Sequence, residues 1–185
     1  HDTGFIVDPA TRSRRARVHA RQADGSLLPI DHASGEELRF CMGGGRLCST
    51  APDYLRFLRT LLAGGSLDGA RVLQPASVVE MGRNHIGDLT FSPLRSVDRA
   101  RSNDFDPFPG MAAKWGLGFL INTEPAATGR SAGSLAWGGL ANTYFWIDPH
   151  RRIAGLAMMQ ILPFADAEAL LLFADFERAV YSALR

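Results

Sequence analysis

Between residues 142 and 160 the chain carries two nearly unbroken apolar runs joined by a tight turn. Residues 142–147 are rich in aromatic side chains, and residues 153–160 are mostly apolar. Asp148-Pro149-His150-Arg151 between them has turn chemistry, with proline at a favoured position. A strand wetted on one side alternates polar and apolar residues, so runs this continuous predict a hairpin buried on both faces. Pro163 ends the second run, and residues 165–184 predict an amphipathic helix with Leu172, Phe173, Phe176, Val180 and Leu184 as its inward stripe. Residues 115–122, bounded by Glu124-Pro125, predict one more strand. Three or so strands and a packed helix predict an α+β fold with an antiparallel sheet.

The first 110 residues read as a helical and loop part, and residues 111–185 as the sheet strands and C-terminal helix of the same single domain. Ala23-Asp24-Gly25-Ser26 predicts the turn of a hairpin over residues 17–30. Residues 32–39 read as polar loop, and Gly43-Gly44-Gly45 breaks any regular element. Thr50 as N-cap, Pro52 in the first turn and Asp53 in capping-box position then predict a helix. Its apolar face would be Leu55, Leu58, Leu61 and Leu62, and Gly64-Gly65 would stop it. A short helix is expected over residues 75–83 and a long irregular surface loop over 88–110.

Composition excludes several function classes. With 185 residues, 46% apolar, the chain can bury a real core, roughly 70% of its unfolded surface. A formal charge of +1 gives no field for nucleic acid or an anionic membrane. No apolar run approaches the ~20 residues of a membrane helix. The two cysteines, Cys41 and Cys48, make no disulfide framework and are expected to be small buried apolar groups. The five histidines lack the spacing of a metal helix, so no metal or other cofactor is expected. The first residue is His1, and no leader peptide is visible. An upstream extension of the natural chain is expected, with tag or initiator removal as the alternative; the compartment stays open.

Catalytic options are narrowed by one count. Of the 20 basic residues only Lys114 is lysine. A Ser-x-x-Lys nucleophile places the serine one helical turn before its lysine, so that the amine can take the hydroxyl proton. The residue three before Lys114 is Met111, so that nucleophile is absent from this chain. Gly43-Gly44-Gly45-Arg46 lacks the Lys and Ser/Thr of a phosphate-binding loop. The most unusual local sequence is Trp137-Gly138-Gly139-Leu140, just before the aromatic run. Paired glycines there would let another molecule lie against the backbone as an added strand; the alternative is a bulge or turn with Trp137 capping the core.

Several stretches in order along the chain carry a family resemblance. They are Asp2-Thr3-Gly4-Phe5, Gly43-Gly44-Gly45-Arg46-Leu47-Cys48-Ser49-Thr50-Ala51-Pro52-Asp53-Tyr54, Leu73-Gln74-Pro75 and Trp115-Gly116-Leu117-Gly118-Phe119. The most specific is Trp137-Gly138-Gly139 followed by Thr143-Tyr144-Phe145-Trp146-Ile147-Asp148-Pro149. Together they resemble the C-terminal part of the serine β-lactamase and penicillin-binding-protein superfamily, most of all its β-lactamase-like (family VIII) carboxylesterases. The resemblance implies the β-lactamase/transpeptidase-like fold, incomplete without an upstream segment. It places Trp137, Gly138 and Gly139 where the family has a substrate-lining motif, often Lys-Thr-Gly, on an edge strand. It makes the backbone N–H of Leu140 an oxyanion-hole donor. Family members carry Ser-x-x-Lys and Tyr-x-Asn or Tyr-x-Ser upstream of this region, and Tyr54, Tyr144 and Tyr181 all fail the latter pattern.

The resemblance therefore implies part of a serine hydrolase that works through an acyl-enzyme and is inactive alone. Trp137 offers an apolar face where a lysine would attract a carboxylate, which favours a small-molecule substrate that is a neutral carboxylic ester, short-chain or bulky, over penicillins or peptides. The expected partners are a missing N-terminal segment or complementary chain, with self-association possible, because an incomplete sheet leaves an open edge. A non-catalytic binding module that keeps the architecture is the alternative.

Overall fold

The structure is a computed structural model that describes residues 2–5, 9–31, 41–45 and 47–184. The expectations placed on His1, residues 32–39 and Arg46 lie outside the described residues. After a 3-10 helix at Pro9–Arg14, β1 (Val18–Arg21) and β2 (Leu27–Ile30) form the expected hairpin. The Asp24 carboxylate accepts from the Ser26 amide and hydroxyl and shapes its turn.

Helix α1 (Ala51–Leu62) starts at Thr50, whose hydroxyl accepts from the Asp53 amide. The Asp53 side chain does not reciprocate on Thr50. It accepts from the Asp2 amide at 2.7 Å and the Thr3 hydroxyl at 3.1 Å, which ties residues 2–5 to the first helical turn. Leu58 and Leu61 are buried with Tyr54 and Leu62 beside them, while Leu55 points outward, 38% exposed. A small hairpin of β3 (Ser66–Leu67) and β4 (Ala70–Arg71) and a short helix α2 (Pro75–Met81) follow.

The main sheet has five antiparallel strands in the order β5 (Lys114–Trp115), β6 (Leu120–Ile121), β7 (Leu135–Gly139), β8 (Thr143–Asp148), β9 (Ile153–Ala157). As the apolar runs require, β8 is buried on both faces. Phe145 and Ile147 pack on Leu58 and Leu61 of α1, together with Phe119, Ile121 and Leu135. Trp146 packs on the other face with Tyr181 and Phe173 of α3 (Ala167–Ser182), and Tyr144 with Phe105 and Phe164. Each such side chain contributes about 1.5–3 kcal/mol relative to exposure. Helices thus cover both faces of the sheet, the mixed α+β architecture that the sequence predicts. On its far side β9 has no partner strand among the described residues.

Three elements differ from expectation. Residues 115–122 are two short strands, because the chain turns between them, with Gly118 at φ 89 and the Gly116 amide bonded to the Phe119 carbonyl. The run 153–160 leaves the sheet after Ala157, which already pairs with Tyr144 near the start of β8. It continues as β10 (Ile161–Leu162), parallel to β1. Helix α3 buries Ala169, Glu177 and Tyr181, with Phe173 on the same side, whereas Leu172, Phe176 and Leu184 of the expected stripe are exposed. Glu177 is buried because Arg130 grips its carboxylate from two nitrogens and Thr128 donates a third bond. Cys41 is exposed and Cys48 half-buried, against the expectation of two core thiols; Cys48 is held by backbone bonds to Gly4.

Candidate functional site

The singled-out motif lies on β7 and the turn after it. Strand β6 pairs with β7 only at Leu120–Ala136 and Ile121–Leu135. Trp137, Gly138 and Gly139 run on past the end of β6, bonded to β8 on one side, with no strand on the other among the described residues. The pairing ends at Gly139–Thr143, and Leu140 is the next residue, 46% exposed. Residues 140–142 form a three-residue hairpin loop, closed by the Asn142 amide donating to the Gly139 carbonyl at 2.9 Å. Asn142 takes the left-handed φ of 61° that the loop needs, a conformation asparagine tolerates better than most residues.

Two different reasons account for the paired glycines. A Cβ at Gly138 would lie 2.6 Å from two ring carbons of Tyr144, so this glycine answers to packing inside the chain. A Cβ at Gly139 would meet nothing nearer than the Thr143 carbonyl at 3.9 Å. Trp137 is half-buried and stands nearly perpendicular to Trp115 at 4.6 Å, with Phe91 and Phe105 each at 6.2 Å. Phe91 and Phe105 come from the irregular loop, a contribution that sequence reasoning missed. Their only signal is that they are large aromatic groups in a charged, proline-containing stretch. Lys114, the single lysine, donates to the Gly87 and Leu89 carbonyls at 3.0 and 2.8 Å and so pins the start of that loop.

Behind the turn is a polar network in a buried setting. The Tyr144 hydroxyl donates to Asn142 Oδ1 at 2.6 Å, and the Asp166 amide to the same oxygen at 3.2 Å. Asn142 Nδ2 donates to the Ile161 and Pro163 carbonyls, both at 2.8 Å. Burial pushes the Tyr144 phenol well above its ordinary range, which keeps it a neutral donor. Asp166 caps α3 and is gripped by Arg21 through two bonds of 2.8 Å, which hold its carboxyl below the usual range.

The arrangement presents a strand end with no partner strand on its outer edge among the described residues, an aromatic group beside it and the exposed Leu140 at its tip. Open surface depressions of about 440 and 340 Å³ are lined by Arg17, His19, Gln160 and Ile161, which adjoins the turn through its bond to Ala141, and by Ser131, His150 and Arg151. Among the described residues no three His, Cys, Asp or Glu side chains gather as metal ligands.

The family profile described as Beta-lactamase matches residues 1–178. Protein Rv1367c of Mycobacterium tuberculosis is 32% identical over 177 residues, which cover 91% of this chain and 41% of that protein. Monacolin J acid methylbutanoyltransferase of Aspergillus terreus is 30% identical over 193 residues, covering 94% of this chain and 43% of the relative. Among solved structures, unliganded simvastatin synthase (LovD) from Aspergillus terreus superposes with a TM-score of 0.80 at 28% identity, covering 99% of this chain and 46% of that one. The chain thus spans less than half the length of the proteins it matches.

Proposed function

The chain belongs to the beta-lactamase family of hydrolases and acyl-transferring enzymes, and from that premise we propose that residues 137–140 form one wall of a serine acyl-transfer site. In this reading the Leu140 amide donates to the carbonyl oxygen of a carboxylic ester as that oxygen becomes anionic. The single observation that supports it most is the position of Leu140, one residue past the last β7–β8 pair and exposed at the end of a strand whose outer edge has no partner strand among the described residues. A backbone donor works here whatever its side chain, provided it is aimed at the developing charge.

The nucleophilic serine and its lysine base come from outside these 185 residues, so the chain alone does not turn over esters. Trp137, held among Phe91, Phe105 and Trp115, offers an apolar neighbour to an uncharged ester and nothing that would attract a carboxylate. The acyl group passes to water or to an alcohol; the similarity to a methylbutanoyltransferase supports the alcohol as one acceptor. A nucleophile-bearing segment or complementary chain, or failing that a second copy, covers the open edge of β9.

Leu140→Pro tests the donor directly. Leu140 is the second residue of a four-residue turn, a position that suits proline; the change deletes the N–H, and Leu140→Ala controls for the lost side chain. In a protein that joins this chain to a Ser-x-x-Lys segment, ester turnover should fall ~100- to 1000-fold, while Leu140→Ala should stay near wild type. Equal activity of Leu140→Pro and Leu140→Ala would refute the reading, as would an acyl-enzyme burst on this chain alone.

A further inference from the structure

We propose that Asn142 is a positioning residue for the Leu140 amide, acting through the plane of the peptide that joins Gly139 to Leu140; its catalytic meaning rests on the oxyanion reading above. In a trans peptide the C=O and the N–H lie in one plane and point in opposite directions. The carbonyl of that peptide accepts the Asn142 amide at 2.9 Å. Whatever fixes the Asn142 N–H therefore fixes the direction in which the Leu140 N–H points, away from the turn.

Asn142 is held far more firmly than the residue it serves. It is fully buried, and its side chain makes four hydrogen bonds, with the Tyr144 hydroxyl, the Asp166 amide and the Ile161 and Pro163 carbonyls. Glycine would supply the left-handed φ at no steric cost, so the backbone conformation alone does not call for asparagine. The side-chain bonds do: they tie the turn to residues 161–166 and, through Asp166, to Arg21 on β1. The Ile161 amide, donating to the Ala141 carbonyl at 3.1 Å, adds a clamp on the same loop. Leu140, about half exposed, depends on this frame for its orientation.

The test is ¹⁵N relaxation and solvent exchange of the Leu140 amide in the 185-residue chain. Asn142→Gly keeps the backbone conformation and removes the four bonds. Leu140 should be as ordered as β7 in wild type and should become mobile in Asn142→Gly, while the Trp146 and Ile147 amides at the sheet centre stay unchanged. An equally ordered Leu140 in the folded variant overturns the proposal. If Asn142→Gly does not fold, Tyr144→Phe removes one of the four bonds without leaving a cavity. It should loosen Leu140 in the same direction by less, and an unaltered Leu140 there overturns the proposal as well. In a protein that also carries the nucleophile, Asn142→Gly should lower kcat roughly 10- to 100-fold with KM little changed. Loosening of Leu140 without a change in kcat would leave Asn142 as the residue that orients this amide and refute the oxyanion reading itself.

Discussion

Gly138 and Gly139 are adjacent, yet replacing each by alanine should have opposite consequences. At Gly138 the new methyl would sit 2.6 Å from Cδ1 and Cε1 of Tyr144 and 3.4 Å from Phe164. Restoring ordinary contact at 3.4 Å needs a displacement of 3.4 − 2.6, about 0.8 Å, by one side or the other. Tyr144 cannot easily give way, because it is 3% exposed, lies against Phe173 at 5.1 Å and is anchored by its hydroxyl to Asn142. The cost should fall in the upper part of the overpacking range, about 2–3 kcal/mol. For a chain of this length that corresponds to a Tm lowered by roughly 4–12 °C. At Gly139 the nearest atom is 3.9 Å away, so Gly139→Ala should change stability by no more than about 1 kcal/mol, with gain as plausible as loss. Thermal melts followed by near-ultraviolet circular dichroism compare the two variants directly. Equal melting temperatures would refute the assignment of Gly138 to internal packing. If a substrate lies against this strand, Gly139→Ala should also impair ester turnover in a nucleophile-bearing protein while leaving the fold intact.

Arg21→Met should cost about 2 kcal/mol at neutral pH, since it removes two charge-assisted bonds to Asp166. Arg21 holds the Asp166 carboxyl below its unfolded value, so this stabilisation is complete above the ordinary carboxylate range and is lost as the pH falls through the lowered folded value. Urea midpoints of wild type and Arg21→Met should therefore differ at pH 7 and converge in acid; a gap that persists unchanged in acid would contradict the pairing. The isolated chain should bind an apolar dye or self-associate through the edge of β9, which has no partner strand among the described residues, and the exposed Leu171, Leu172 and Phe176 of α3. A monodisperse monomer without dye binding would count against that expectation.

What the sequence disclosed and what it hid divide along a physical line. Continuous apolar runs announced β8 because both of its faces repeat the same property residue after residue. Glu177 on the buried side of α3 was invisible, since its burial depends on Arg130, 47 residues away, and helical periodicity carries no record of a distant partner. Phe91 and Phe105 reach Trp137 from a loop that has no period to read. Leu140 was reached through family resemblance, because nothing in the spacing of residues points to a main-chain donor.

The misread strand at 115–122 bears most closely on the site. In the register set by Leu120–Ala136 and Ile121–Leu135, a continuous strand would place Gly118 opposite Gly138 and Gly116 opposite Leu140. The outer edge of the motif would then be covered by neighbouring backbone, with Leu140 opposite a paired residue. The turn at Gly118 folds the chain back onto β5, with Leu117 bonded to the Met81 carbonyl, and β6 is left two residues long. That shortening exposes the edge of Trp137, Gly138 and Gly139. The same Gly-x-Gly stretch that passes for part of a strand in a sequence is what keeps the candidate site open in the folded chain.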